Sequence, residues 1–162
     1  MTKAHADDFV VFFETLRDTI CLFDELLVFE NEKLDAVAAN DVDRLDRRLN
    51  EEQACLLRMK NLDAKREQLQ QKLGYADMTL KQIAEQIGGA EQAALLALYD
   101  ELSAKSTELK DAIATTKKFI DLHINAIGIL LENLETGGAT YTSDGEKAAE
   151  TATPQRFESK KV

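Results

Sequence analysis

Residues 8–39 read DFVVFFETLRDTICLFDELLVFENEKLDAVAA. Large apolar side chains recur here at alternating spacings of three and four residues, which is the period of an amphipathic α-helix. One charged residue, Glu30, interrupts this seam. The pattern predicts a helix far longer than the roughly 11-residue average of globular proteins. The seam consists of Phe9, Phe13, Leu16, Ile20, Phe23, Leu27, Leu34 and Val37.

The seam continues after residues 40–41, where Asn40 and Asp41 supply a stop signal and a new helix cap. Gly74 is placed to end this second segment as a C′ residue. The second segment is either a separate helix or a kinked continuation of the first, and the sequence leaves both open. Its apolar positions are Val42, Leu45, Leu49, Leu56 and Met59, followed in a shifted register by Leu62, Leu69 and Leu73.

A short connector and one further long helix follow. Thr79 and Gln82 form a capping box for a short helix over residues 80–87, which Gly88 and Gly89 close. Helical periodicity then restarts at Glu91 and reaches residue 136. We therefore predict an all-α fold: an elongated antiparallel bundle of two or three long helices with a short connector helix. The apolar positions of the last helix are Leu95, Leu98, Leu102, Leu109, Ile113, Ile120, Ile127, Leu131 and Leu134.

Beyond Leu134 the chain loses periodicity and gains Gly, Ser, Thr and charged residues. Such a composition cannot bury enough apolar surface to offset the entropy of ordering. We expect residues 1–136 to form the helical bundle domain and residues 137–162 to form a flexible C-terminal tail.

The chain is acidic, with 30 Asp and Glu against 20 Lys and Arg, a formal charge of −10 and a pI near 4.7. Phosphate backbones and anionic lipids should repel such a chain, so we expect no nucleic acid among its partners. Apolar runs are only a few residues long, which predicts no membrane insertion. The start MTKAHADDFVVFF is unlike a signal peptide, so a cytoplasmic location is expected.

Motifs for catalysis, cofactors or metals are missing from the sequence. Cys21 and Cys55 have no ligand-like spacing to another Cys or His, and we expect both to be small buried apolar residues. His5 and His123 lack the Glu three residues earlier that a di-metal helix bundle uses. No phosphate-binding or nucleophile-elbow glycine motif is present. The sequence therefore predicts a protein that is not an enzyme and holds no cofactor or metal.

Residues 120–135, IDLHINAIGILLENLE, carry more apolar surface than one packed neighbour can cover. At 100° per residue five polar residues share one narrow strip, and the apolar ones, interrupted only by His123 and Asn133, spread over roughly 220°, against the ~100° stripe of a surface helix. Burial within the chain, burial in a homodimer, and an open groove for a partner all remain possible explanations. The polar strip consists of Asp121, Asn125, Gly128, Glu132 and Glu135.

Two stretches resemble the FlgN family of flagellar secretion chaperones. The stretch LNEEQACLLRMKNLDAKREQLQQKLGY is similar to the second helix of the family, and the order of an Asn, leucines, a Tyr and a Gly near the end is similar to the family's C-terminal pattern. The matching residues are Leu56, Leu57, Arg66, Leu69, Leu73 and Gly74, and then Asn125, Leu130, Leu131, Leu134, Tyr141 and Gly145.

The resemblance implies a cytoplasmic flagellar type III secretion chaperone that binds hook-filament junction proteins, prevents their premature assembly and delivers them to components of the export apparatus. It also implies that the C-terminal helical part binds the client. The rival hypothesis is a structural or adaptor coiled-coil protein that self-associates through its long helices, as a homodimer. The implied partner-binding residues are Ile127, Leu130, Leu131, Leu134 and Tyr141.

Overall fold

The computed structural model describes residues 3–136, which form four helices. They are α1 (Lys3–Ala38), α2 (Val42–Lys72), α3 (Leu80–Ile87) and α4 (Gly89–Thr136). Within these residues there is no strand. The predicted all-α fold of long helices with a short connector is confirmed. The predicted tail, residues 137–162, lies outside the described residues.

The first two helices are separate, and their boundary is built by two adjacent residues. Asn40 adopts a left-handed backbone conformation with φ of 53°, which Asn tolerates better than most residues. The Asp41 side chain then caps α2 by accepting a hydrogen bond from the Arg44 backbone N–H at 3.0 Å. A kinked continuous helix is thereby excluded.

Helices α1 and α2 run antiparallel, as a ladder of ion pairs between them demonstrates. Asp8 pairs with Lys72, Glu25 with Arg58, and Glu32 with Arg48. Residue numbers rise along α1 as they fall along α2, which is the arrangement of a helical hairpin.

The connector α3 begins at the predicted capping box. The Thr79 backbone N–H donates to Gln82 Oε1 at 2.8 Å, and the Gln82 N–H donates to Thr79 Oγ1 at 3.3 Å. Gly88 and Gly89 both have positive φ angles, 66° and 64°, which let the chain turn directly from α3 into α4. The last long helix therefore starts at Gly89, two residues before the predicted start.

The first part of α4 runs parallel to α1. Lys105 Nζ lies 2.7 Å from Asp24 Oδ1, and Thr116 Oγ1 donates to the Glu30 carbonyl oxygen at 3.4 Å. Residue numbers rise together along both helices, so α1, α2 and this part of α4 alternate in direction. These contacts lie in the first of two structural units, Met1–Asp121. The described part of the second unit is residues 122–136 of α4.

The buried side chains of α1 differ in register from the predicted seam. Phe13, Phe23 and Leu27 are only partly buried, while residues next to them in the chain are fully buried. Because α1 is covered by both α2 and α4, its buried face is wider than a seam for one neighbour and its centre is shifted. The two apolar clusters are built around Phe9, Phe12, Leu16, Ile20, Leu69, Leu73, Ile83, Ala84, Leu95 and Leu98, and around Leu22, Leu26, Cys55 and Leu109.

The predicted seam of α2 is wrong at several positions. Cys55 is buried and its neighbour Leu56 is exposed, and Val42 and Leu49 are exposed as well. Of the two cysteines that we predicted to be buried, Cys55 is confirmed as buried, and the prediction is wrong for Cys21, which is exposed. Each error has the same cause: spacing places a residue on a helix face but does not say how much of that face a neighbour covers.

Candidate functional site

The end of α4 carries a set of apolar side chains that no other described residue covers. An apolar side chain exposed singly is ordinary, but several together on one helix mark an interaction surface. Here seven large apolar residues fall within thirteen positions, and each exposes roughly half of its area or more. They are Leu122, Ile124, Ile127, Ile129, Leu130, Leu131 and Leu134.

Helical geometry divides these residues into two groups. At 100° per residue, five of them fall within an arc of about 120°, and Leu122 and Ile129 lie on the far side of the polar strip. The five, which we call the C-terminal apolar stripe, are exposed by between 53% and 72% and span about 15 Å of helix. An arc of this width suits one packed helix. The stripe consists of Ile124, Ile127, Leu130, Leu131 and Leu134.

Four of the five predicted partner-binding residues therefore lie together. Ile127, Leu130, Leu131 and Leu134 share the stripe and are all exposed, although contact with a client stays a prediction. Tyr141, the fifth, lies outside the described residues. Ile124 belongs to the same face and was missed. Its distance of three residues from Ile127, one helical turn, was the signal that could have identified it.

The segment that bears the stripe is acidic. Residues 121–136 include Asp121, Glu132 and Glu135 and contain no Lys or Arg. The acids lie on the polar strip beside the stripe, so a docked helix would meet negative charge along one rim. This arrangement favours a partner whose apolar face is bordered by Lys or Arg.

The buried cysteine has the surroundings of a packed thiol rather than a nucleophile. Cys55 Sγ lies 3.8 Å from Glu25 Oε2. Burial, and then the negative charge of Glu25, raise the pKa of the Cys55 thiol. A thiol that keeps its proton is a poor nucleophile and a poor metal ligand. Among the described residues no group of three or more His, Cys, Asp and Glu side chains is arranged to hold a metal ion.

Along the described helices, α1 to α4, no stretch is both long enough and apolar enough to span a membrane.

Comparison with known families decides the class of protein. The model of the FlgN family, described as FlgN protein, matches residues 10–149 and so covers most of the chain. The chain belongs to the FlgN family. FlgN proteins are flagellar export chaperones and are not known as enzymes, so membership indicates a role in binding flagellar export substrates. No curated protein and no solved structure is significantly similar to the chain.

Proposed function

We propose that this member of the FlgN family is a cytoplasmic type III secretion chaperone for hook-filament junction proteins. It binds them, prevents their premature assembly and delivers them to the export apparatus. The observation that carries the proposal is the exposure of the C-terminal apolar stripe, because an apolar helix face of this size needs an occupant in the working protein.

The stripe has the chemistry of helix-in-groove recognition. Ile127, Leu130, Leu131 and Leu134 follow the spacing by which an amphipathic helix presents its anchors. Full burial of one such side chain contributes about 1.5–3 kcal/mol, so covering the exposed halves of these four contributes on the order of 4 kcal/mol. This is enough to hold a client segment together with further contacts, and small enough to permit its release.

The proposal explains how a small protein could protect an assembly-prone client. Segments that order only on assembly are disordered beforehand and expose apolar side chains. A chaperone that covers those side chains removes the surface through which clients would associate. The acidic border of the stripe and the formal charge of −10 keep the complex soluble. Tyr141 is proposed as an additional contact on the adjoining segment.

The proposal is tested by co-purification of the full chain with hook-filament junction proteins. The variant Leu131→Glu/Leu134→Glu should lose the client, because each new carboxylate would be buried in an apolar contact. Removal of residues 137–162 should weaken capture, since it removes Tyr141. Leu57→Glu is the matched control, because Leu57 is 61% exposed, lies on α2 and does not belong to the stripe. Equal capture by all variants would contradict the assignment of the stripe.

Delivery to the export apparatus is tested separately in cells that lack the chaperone. Complementation with the unaltered chain should restore secretion of junction proteins into the medium, and the Leu131→Glu/Leu134→Glu variant should not. If that variant restores secretion fully, the stripe is not the client site in the cell.

A further inference from the structure

The first structural unit contains an apolar cleft that the proposed client site does not use. It has a volume of about 460 Å³ and lies among α1, α2, α3 and α4. We call it the bundle cleft. Its apolar lining comes from Leu16, Phe23, Leu56, Met59, Leu80 and Leu102. Leu56 is 51% exposed at its edge, so the cleft is open to an outside molecule.

The apolar lining of the cleft extends along two helices. Leu49 precedes Leu56 by seven residues on α2, and Ile113 follows Leu102 by eleven residues on α4. Both spacings return to nearly the same face of a helix, within about 20°. Leu49 and Ile113 are also exposed. From Leu102 to Ile113 the apolar strip is about 16 Å long.

This length and chemistry match the C-terminal apolar stripe, which spans about 15 Å from Ile124 to Leu134. A fourth helix laid into the cleft would complete a four-helix arrangement, which is a common way for helices to bury apolar faces. Within residues 3–136 the chain therefore carries both an apolar helix face that no other described residue covers and an apolar cleft that no described residue fills.

Charge also favours this pairing. Lys60 lines the cleft and makes no ion pair within the described part of the chain. The other cation of the lining, Arg66, is held by Asp63 at 2.7 Å and by Glu67 at 3.5 Å. An occupant with carboxylates beside its apolar face would therefore form an ion pair with Lys60. The stripe has such a border, with Glu132 and Glu135 and no Lys or Arg.

We propose that the C-terminal apolar stripe of a second copy of this chain occupies the bundle cleft. By two-fold symmetry each copy would then give its stripe to the cleft of its partner. The pairing does not depend on the client assignment. If both proposals hold, a client must displace the second copy from the stripe. In the absence of a client, the dimer keeps the stripe of each copy covered.

The test uses the full chain without any client, in sedimentation velocity across a wide range of concentrations. The unaltered chain should form dimers. Leu56→Glu in the cleft and Leu131→Glu in the stripe should each weaken dimerisation about tenfold or more, which corresponds to about 1.4 kcal/mol. Leu57→Glu and Asn125→Glu are matched controls, since they add the same charge beside the cleft and on the polar strip. Circular dichroism verifies that each variant keeps its helix content.

Mixing the two variants gives the sharper result. Leu56→Glu has an intact stripe and Leu131→Glu has an intact cleft, so the mixture can form one of the two contacts. A mixed dimer should appear at concentrations where neither variant dimerises alone. A monomeric unaltered chain, equal effects of Leu56→Glu and Leu57→Glu, or a mixture that stays monomeric would each overturn the proposal. None of these outcomes bears on whether a junction protein binds the stripe.

Discussion

Lys33 and Glu30 form an ion pair inside the bundle, with 2.6 Å between Nζ and Oε1. Lys33 Nζ also lies 2.8 Å from Glu52 Oε2 on α2, so one cation serves two carboxyl groups. Glu30 is only 2% exposed, and its Oε2 has no hydrogen-bond partner among the described residues. The residue that interrupts the apolar seam of α1 is thus the centre of a buried charged cluster.

The pKa directions follow from this arrangement. Burial works against the charge of Glu30, but hydrogen bonds, above all from Lys33, outweigh it and lower the pKa of Glu30. Burial raises the pKa of Glu52, and the neighbouring Glu30 adds to that effect. Burial alone would lower the pKa of Lys33, but its bonds to Glu30 and Glu52 raise it. As the pH falls, Glu52 is therefore protonated before Glu30.

Replacement of Lys33 by Met should destabilise the fold strongly. The change leaves Glu30 and Glu52 buried without their cation, and breaking a buried pair in this way costs about 3 kcal/mol. Urea unfolding measures the loss of unfolding free energy. Lys65→Met, on the exposed surface of α2, is the control and should change stability by less than about 0.5 kcal/mol. Similar losses for both variants would contradict the role of Lys33.

Replacement of Glu52 by Gln should change the pH dependence of stability. Because the folded-state pKa of Glu52 is raised above 4.5, the folded chain holds that proton more tightly than the unfolded chain. The resulting stabilisation of the folded state is complete below the unfolded-state pKa of Glu52 and is lost as the pH rises through its folded-state pKa. Glu30 has the opposite effect. Because its pKa is lowered from 4.5 on folding, its charged form stabilises the folded state at higher pH, and this stabilisation is lost as the pH falls through the folded-state pKa.

Unfolding free energies measured between about pH 4.5 and pH 7 test this account. The unaltered chain should lose the Glu52 contribution over that range, and Glu52→Gln should not. Glu51→Gln, the exposed neighbour of Glu52, is the control because it lies outside the buried cluster. If the unfolding free energies of Glu52→Gln and of the unaltered chain change with pH in parallel, the pKa of Glu52 is not raised by folding.

Phe12→Ala should cost more stability than Phe13→Ala. Phe12 is fully buried and Phe13 only partly buried. Deletion of a buried Phe side chain costs about 3–5 kcal/mol, and the loss at Phe13 should be about half of that. Thermal or urea unfolding of the two variants provides the comparison. A larger loss of unfolding free energy for Phe13→Ala would mean that the seam predicted from the sequence, rather than the observed core, is correct.

Thr79→Ala should destabilise the chain by about 1 kcal/mol, because it removes the N-cap of α3. Thr107→Ala is the control, since the Thr107 hydroxyl only donates to the Ser103 carbonyl on the exposed side of α4. That change should leave stability nearly unaltered. Equal unfolding midpoints for the two variants would show that the capping box contributes nothing.

Features that depend on nearby residues were predicted well from the sequence. The capping box of Thr79 and Gln82 needs only a spacing of three, and Asn40 and Asp41 break the helix through their own backbone and side chains. Features that depend on a second helix were predicted poorly. The burial of Phe12 rather than Phe13, and the exposure of Leu56 next to the correctly predicted Cys55, are decided by the direction from which α2 and α4 approach.

The candidate site shows the same division. The spacing of Ile127, Leu130, Leu131 and Leu134 placed these residues on one face, which helical geometry alone determines. Their exposure is a property of what packs nearby, which no pattern within the segment could reveal. The cluster of Glu30 and Lys33 was missed for a related reason. Their spacing of three residues was visible, but the third member, Glu52, comes from α2.

The most direct test of the central claim is the dissociation constant of a purified hook-filament junction protein for the full chain, measured by calorimetry. The claim predicts that Leu131→Glu/Leu134→Glu weakens binding at least about a hundredfold, which corresponds to about 2.7 kcal/mol, with unchanged helix content. Leu57→Glu should bind like the unaltered chain. An unchanged dissociation constant for the double variant would contradict the claim that the C-terminal apolar stripe is the client site.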